Sequence, residues 1–257
     1  MVKSIPKKVR EMDMDDRFAN GAYIPNGADY PEKWARLAAD FRSVAKADLD
    51  VRYGPSDRQV MDVFHPEGTP KGTVVFVHGG YWIALDKSFW SHLAAGPLAH
   101  GWSVAMPSYD LCPDVHVSEI TQQIEAALRG LQGPLRLTGH SAGGHLVARL
   151  AGMPNVARVV PISPVADLMP LLQTKMNADL RLSEAEAFAE SPVNLPPPNV
   201  PVTVWVGGDE RPVFQEQARQ LADAWGVDLV TSEGAHHFNV IEPLADPDSP
   251  LVKALLS

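Results

Sequence analysis

The pentapeptide Gly139-His140-Ser141-Ala142-Gly143 sets a serine between two glycines, directly after the apolar run Leu135–Thr138. A G-x-S-x-G pattern that follows a short strand and opens a helix predicts a nucleophile elbow, a turn so sharp that only small residues fit at its shoulders. Such a turn lifts the serine hydroxyl clear of the sheet and aims the following backbone N–H groups at the same point. A hydroxyl is a weak nucleophile alone, so the motif demands a base, an acid and oxyanion donors elsewhere in the chain. Candidates for all three are present. His78-Gly79-Gly80-Tyr81-Trp82 offers a loop with bare N–H groups, Asp209 and Glu210 are adjacent carboxylates, and His236 and His237 are paired imidazoles before Phe238. These residue types together describe acyl transfer through a covalent serine intermediate.

Groups so far apart in sequence meet only if the chain folds to bring them to one place. In a parallel sheet, residues just past the strand C-termini share one edge. Apolar runs rich in Val, Ile and Leu predict strands at Asp48–Tyr53, Gln59–Phe64, Thr73–Val77, Ser103–Met106, Leu135–Thr138, Arg158–Ile162, Val202–Val206 and Val227–Thr231. His78 follows the third, Ser141 the fifth, the two acids the seventh and the two histidines the eighth. The turn residues Gly54-Pro55-Ser56-Asp57 join the first two strands as a hairpin. Helix-length segments separate the later ones, which predicts βαβ units and a mostly parallel eight-stranded sheet with helices on both faces. Pro161 weakens the sixth strand, because it cannot donate to a ladder.

Helices are legible from spacing. Ile120, Ile124, Leu128 and Leu131 share one face, as do Phe214, Ala218, Leu221, Ala222 and Trp225. Ser249-Pro250 forms an N-cap and first-turn pair for a terminal helix. Residues 1–45 form an arm that packs on the domain, helical over Pro31–Phe41. Residues 163–200, ending in Leu195-Pro196-Pro197-Pro198, form a short cap-like insertion. Without repeats or a flexible linker, residues 1–257 read as one α/β domain. The order Ser, acid, His is that of the α/β-hydrolase fold.

Composition excludes several other classes. The chain has 257 residues, 45% hydrophobic and 21% charged, with a net charge of −9. That balance argues against a nucleic-acid surface; the basic run Lys7-Lys8-Val9-Arg10 reads as a solvated terminus. A single cysteine, Cys112, excludes an internal disulfide and reads as an inert packed thiol. No apolar signal core and no membrane-length apolar run occur, which gives an expectation of a cytoplasmic protein acting on a small molecule, without a membrane. The nine histidines lack H-E-x-x-H spacing or a compact ligand cluster, so no metal and no cofactor is expected. His140 and His145 read as structural, and His78 as holding its own loop by hydrogen bonds. The sequence leaves the oligomeric state open, a homodimer included.

The phrase His78-Gly79-Gly80-Tyr81-Trp82 resembles the HGGYW loop of the kynurenine formamidases (arylformamidases), in the esterase/lipase branch of the α/β-hydrolases. Tyr109-Asp110-Leu111-Cys112-Pro113 is similar to that family's segment after strand four, and Gly139–Gly144 to its GHSAGG elbow. Ser163–Leu171 resembles its SGVYDLxPL segment, with Pro164 and Ala166 as departures. The resemblance runs from about Ala22 to the C-terminus. It implies Ser141 as nucleophile and His237 as base, because the family histidine precedes a phenylalanine as His237 precedes Phe238. The acid is open. Glu210 lies two residues before Pro212-Val213-Phe214, where animal members have an aspartate before Pro-Glu-Phe, whereas residue type favours Asp209.

Gly79, Gly80, Tyr81 and Ala142 are then the oxyanion donors, and Tyr81, Trp82 and Phe238 the walls for an aromatic leaving group. The implied reaction is hydrolysis of N-formyl-kynurenine to kynurenine and formate. The same machinery fits a broad carboxylesterase acting on short-chain or aryl esters. A non-catalytic ligand-binding protein on this fold would lack one of the demanded groups, and none is lacking.

Overall fold

The computed structural model describes residues 13–257; the Lys7-Lys8-Val9-Arg10 run lies outside them. Eight strands form one sheet: β1 (Ala47–Arg52), β2 (Val60–Phe64), β3 (Thr73–Val77), β4 (Ser103–Pro107), β5 (Leu135–His140), β6 (Val156–Ile162), β7 (Thr203–Gly207) and β8 (Asp228–Ser232). The spatial order is β1-β2-β4-β3-β5-β6-β7-β8. β1 and β2 pair antiparallel, as do β2 and β4, and every later pairing is parallel. Each expected strand is present; the largest displacements are an end at His140 instead of Thr138 and a start at Val156 instead of Arg158.

Alternate residues of the central strands enter opposite apolar layers, as the period of two requires. Val75, Val77, Leu135 and Leu137 join one layer, with Phe214 and Ile124. Val74, Phe76, Val104 and Met106 join the other, with Trp34 and Leu251. Nine helices over the described residues supply the covers: α1 (Met14–Phe18), α2 (Tyr30–Arg42), α3 (Ala95–Ala99), α4 (Val117–Arg129), α5 (Ala142–Arg149), α6 (Asn177–Leu180), α7 (Glu184–Glu190), α8 (Pro212–Trp225) and α9 (Pro250–Leu256). The apolar stripes read from spacing are the buried faces of α4 and α8, except that Leu131 lies past the end of α4 and is half-buried. The Ser249 hydroxyl caps α9 by accepting the Val252 N–H at 3.1 Å, with Pro250 at the first helical position.

Pro161 marks a gap in the sheet. The Val159 N–H donates to Pro201 O at 3.0 Å and the Ser163 N–H to Trp205 O at 2.7 Å, both toward β7. Pro161, between them, has no N–H to give. The β6–β7 ladder is accordingly reduced to the Ile162–Trp205 pair and an isolated Val159–Val202 bridge.

Residues 163–200, between β6 and β7, contain α6, α7 and short 3₁₀ turns. Buried Glu190 at the end of α7 pins this segment to the body. It accepts two hydrogen bonds at 3.1 Å from Arg149 on α5, and a third at 2.7 Å from Thr121 on α4.

Candidate active site

Ser141 sits between β5 and α5 at φ 56°, ψ −115°, outside the ordinary regions for a residue with a side chain. Its N–H donates to Ile162 O at 2.9 Å, which fixes the turn against β6. The flanking glycines are demanded by contact. A Cβ on Gly143 would lie 2.0 Å from Val77 O, and one on Gly139 would lie 2.4 Å from Gly143 O. Helix α5 therefore packs directly on β3 and β5, and the elbow cannot relax. Ala142 is the first residue of α5, so its N–H has no intrahelical acceptor and points out of the helix start.

Two loops of the same sheet edge supply a histidine and a carboxylate. His237 Nδ1 donates to Glu210 Oε2 at 2.5 Å, and both side chains are almost wholly buried. The other carboxylate oxygen accepts from the Ser163 hydroxyl at 2.5 Å and from the Gly207 N–H at 2.8 Å. These contacts fix the carboxylate plane, and hence the ring that it holds. Asp209 is exposed and reaches no imidazole; its N–H donates to Ala235 O at 2.9 Å.

His236, the other half of the pair, is a loop former. Its Nδ1 accepts the Phe238 N–H at 3.1 Å, and its Nε2 meets the Tyr30 hydroxyl at 3.1 Å. The ring of His237 lies between those of Phe214, 4.3 Å away, and His140, 4.6 Å away. Burial first, and the facing His237 second, hold the pKa of His140 well below the ordinary imidazole value. His140 is structural, as expected, and its place is the floor beneath the His237 ring, a contact invisible in a residue that merely precedes the serine.

The glycine loop follows β3. Gly80 adopts φ +115°, and Tyr81 and Trp82 are left-handed at 51° and 59°. The N–H groups of Gly79, Gly80 and Tyr81 have no backbone acceptor among the described residues. Surrounding contacts hold the loop in this shape. His78 stacks on Tyr109 at 4.3 Å, the Tyr109 hydroxyl donates to His78 O at 3.0 Å, and Arg58 donates to Tyr109 O and Leu85 O at 2.7 and 2.6 Å.

One cavity of about 450 Å³ opens on these groups and is lined by Gly79, Gly80, Tyr81, Ser141, His237 and Phe238. Its remaining walls are mostly apolar and come from distant segments: Phe18, Pro31 and Trp34 from the N-terminal arm, Trp90 after β3, and Met176 from the cap segment. The Tyr81 hydroxyl donates to Phe18 O at 2.7 Å and so latches the arm to the glycine loop.

Trp82, expected as a wall, is not one. It is wholly buried behind the loop with its ring centroid 5.0 Å from that of His145, because the backbone turn at this residue sends it into the core. Phe18, Trp34 and Trp90 line the cavity without a sequence signal, since an aromatic residue away from the motifs reads as core. Cys112 is buried and its thiol is pushed up to about 11 by that burial. Among the described residues no group of three or more His, Cys, Asp or Glu side chains is arranged to hold a metal ion.

The serine hydrolase family model matches residues 75–246. A kynurenine formamidase of Salmo salar is 32% identical over 84% of this chain and 83% of its own. A crystal structure from Silicibacter sp. TM1040, provisionally described as a thioesterase, is 54% identical with a TM-score of 0.92, covering 96% of this chain and 100% of that one. A hyperthermophilic esterase from the archaeon Pyrobaculum calidifontis shares the fold at a TM-score of 0.70, with 19% identity and 90% of each chain covered.

Proposed function

The chain belongs to the serine hydrolase family and to the kynurenine formamidases, and from that premise we propose that it hydrolyses N-formyl-kynurenine to kynurenine and formate through Ser141, His237 and Glu210. The observation that carries the reading is His237, held from behind by Glu210, facing with Ser141 one aromatic-walled cavity.

In the proposed cycle, His237 Nε2 takes the Ser141 proton as Oγ attacks the formyl carbon. Glu210 keeps the ring in the tautomer with Nδ1 protonated and stabilises the imidazolium. The oxyanion forms against the N–H groups of Ala142 and the Gly79–Tyr81 loop. The imidazolium then protonates the aryl nitrogen, the C–N bond breaks, and kynurenine leaves. Water, deprotonated by the same imidazole, releases formate and restores the serine. An aryl amine departs more readily than an alkyl amine, and a formyl group asks for little room beside the elbow. The N-terminal arm and the cap segment complete the cavity of the same catalytic domain.

A thioester is the second reading, favoured by the description of the 54%-identical Silicibacter protein. Steady-state kcat/KM on N-formyl-kynurenine against a panel of short aryl esters and acyl thioesters decides between them. The formamidase reading expects the formamide to lead the panel by at least about tenfold, which is ~1.4 kcal/mol of transition-state preference. A thioester in first place would replace it.

A further inference from the structure

We propose that Asp15 and Lys175, a pair of opposite charges lining the active-site cavity, bind the α-ammonium and α-carboxylate of an amino-acid arm on the substrate. They thereby select an aryl formamide that carries such an arm over one that does not. The inference rests on the formamidase reading and adds the group that gives it selectivity.

Most of the cavity wall is aromatic or aliphatic, and its histidines and serine stand at the chemistry. Asp15 and Lys175 are the only carboxylate and the only lysine or arginine among the described residues lining it. They come from segments 160 residues apart, the arm and the cap, so tertiary folding alone places them together. Their pairing is incomplete. Asp15 Oδ1 accepts the Lys175 backbone N–H at 2.6 Å, while Oδ2 stands 3.4 Å from Lys175 Nζ. A charge-assisted hydrogen bond closes to about 2.7–2.9 Å, so Oδ2 and Nζ both keep capacity for a partner.

The side chain of Lys175 is 89% exposed and that of Asp15 is 26% exposed. The backbone hydrogen bond ties the arm to the cap segment, whereas the side-chain ion pair, with Lys175 this exposed, adds little to stability. A zwitterion completes the geometry: its ammonium faces Oδ2, its carboxylate faces Nζ, and its aromatic ring lies along Phe18, Tyr81 and Phe238. An apolar pocket with a few placed polar groups is the usual way a site fixes the orientation of an aromatic ligand.

The test measures kcat and KM for N-formyl-kynurenine and for formanilide, which lacks the amino-acid arm, in the wild type, Asp15→Asn and Lys175→Gln. Asn keeps an oxygen for the Lys175 N–H, and Lys175 is exposed, so neither change threatens folding. Each variant is expected to reduce the preference for N-formyl-kynurenine over formanilide by about fivefold, through KM rather than kcat. A preference unchanged in both variants, or an equal loss on both substrates, overturns the proposal.

A second measurement is independent of formamidase turnover. Kynurenine should inhibit hydrolysis of a p-nitrophenyl ester, with a Ki raised about fivefold in each variant; 2-aminoacetophenone, without the arm, should show no matching rise. If the wild type cleaves esters but not N-formyl-kynurenine, the formamidase reading falls. The kynurenine Ki then decides the ion pair alone: a raised value sustains it, and an unshifted value ends it.

Discussion

At the scale of single residues, the contacts around Glu210 separate two neighbouring acids between which register and residue type disagreed. Glu210 accepts from His237, Ser163 and Gly207, whereas Asp209 is exposed. The longer side chain reaches the imidazole from a position that a local reading weighed equally with its neighbour. Glu210→Gln should therefore lower kcat by about 10⁴-fold, as loss of the orienting carboxylate does in serine hydrolases. Asp209→Asn should cost less than about tenfold, an effect no larger than 1.4 kcal/mol. Steady-state kinetics on the preferred substrate checks both, and the reverse order would give the acid's role to Asp209. The choice of His237 over His236 came from the resemblance, through the phenylalanine that follows it, and Glu210 reaches that ring. The packing of His140 on His237 was not legible in the sequence, because ring contacts depend on how the strands are placed.

At the scale of elements, the strands were legible because each is a short apolar run closed by turn residues, and the ends moved by no more than two residues, as at His140 and Val156. Pro161 was read correctly as a weakness, and the structure turns it into a gap facing β7. The walls of the cavity were not legible. Trp82 follows the glycine loop in sequence, yet φ 59° directs it into the core. Phe18 and Trp34 line the site from an arm whose pattern indicated only packing. Periodicity tells which face of an element is buried, not which buried face leaves room for a ligand.

The elbow is the element with least tolerance. Gly143→Ala sets a methyl 2.0 Å from Val77 O, against backbone that cannot give. It should lower stability by at least about 3 kcal/mol, the upper range for overpacking. Gly152→Ala, with nothing within 4 Å of the added carbon, should change it by less than about 1 kcal/mol. Urea denaturation of both variants checks this, and a fully stable Gly143→Ala protein would contradict the packing described.

At the scale of the whole molecule, several histidines are buried as neutral rings, and this couples stability to pH. Burial pushes His78 and His145 down to about 4 in the folded chain, and His140 well below 6.5. Unfolded, each takes up a proton near about 6.5. Between those values the unfolded state holds more protons, so stability rises with pH there and is lost as pH falls from about 6.5 toward about 4. Each such histidine contributes a slope of at most about 1.4 kcal/mol per pH unit in that window. Urea midpoints should fall steeply from about pH 7 to about pH 5, and a flat profile would mean that these rings are protonated in the fold. No described helix is long and apolar enough to cross a membrane.

Arm, cap segment and sheet edge converge on Ser141, and the account stands or falls on that hydroxyl. The most direct measurement is reaction with a serine-directed organophosphorus reagent, followed by peptide mass mapping and residual activity. One adduct is expected, on Ser141, formed in step with loss of activity, and none in Ser141→Ala, whose own turnover is down by at least about 10⁴-fold. An adduct on another residue, or near-normal turnover in Ser141→Ala, would contradict the role given to Ser141.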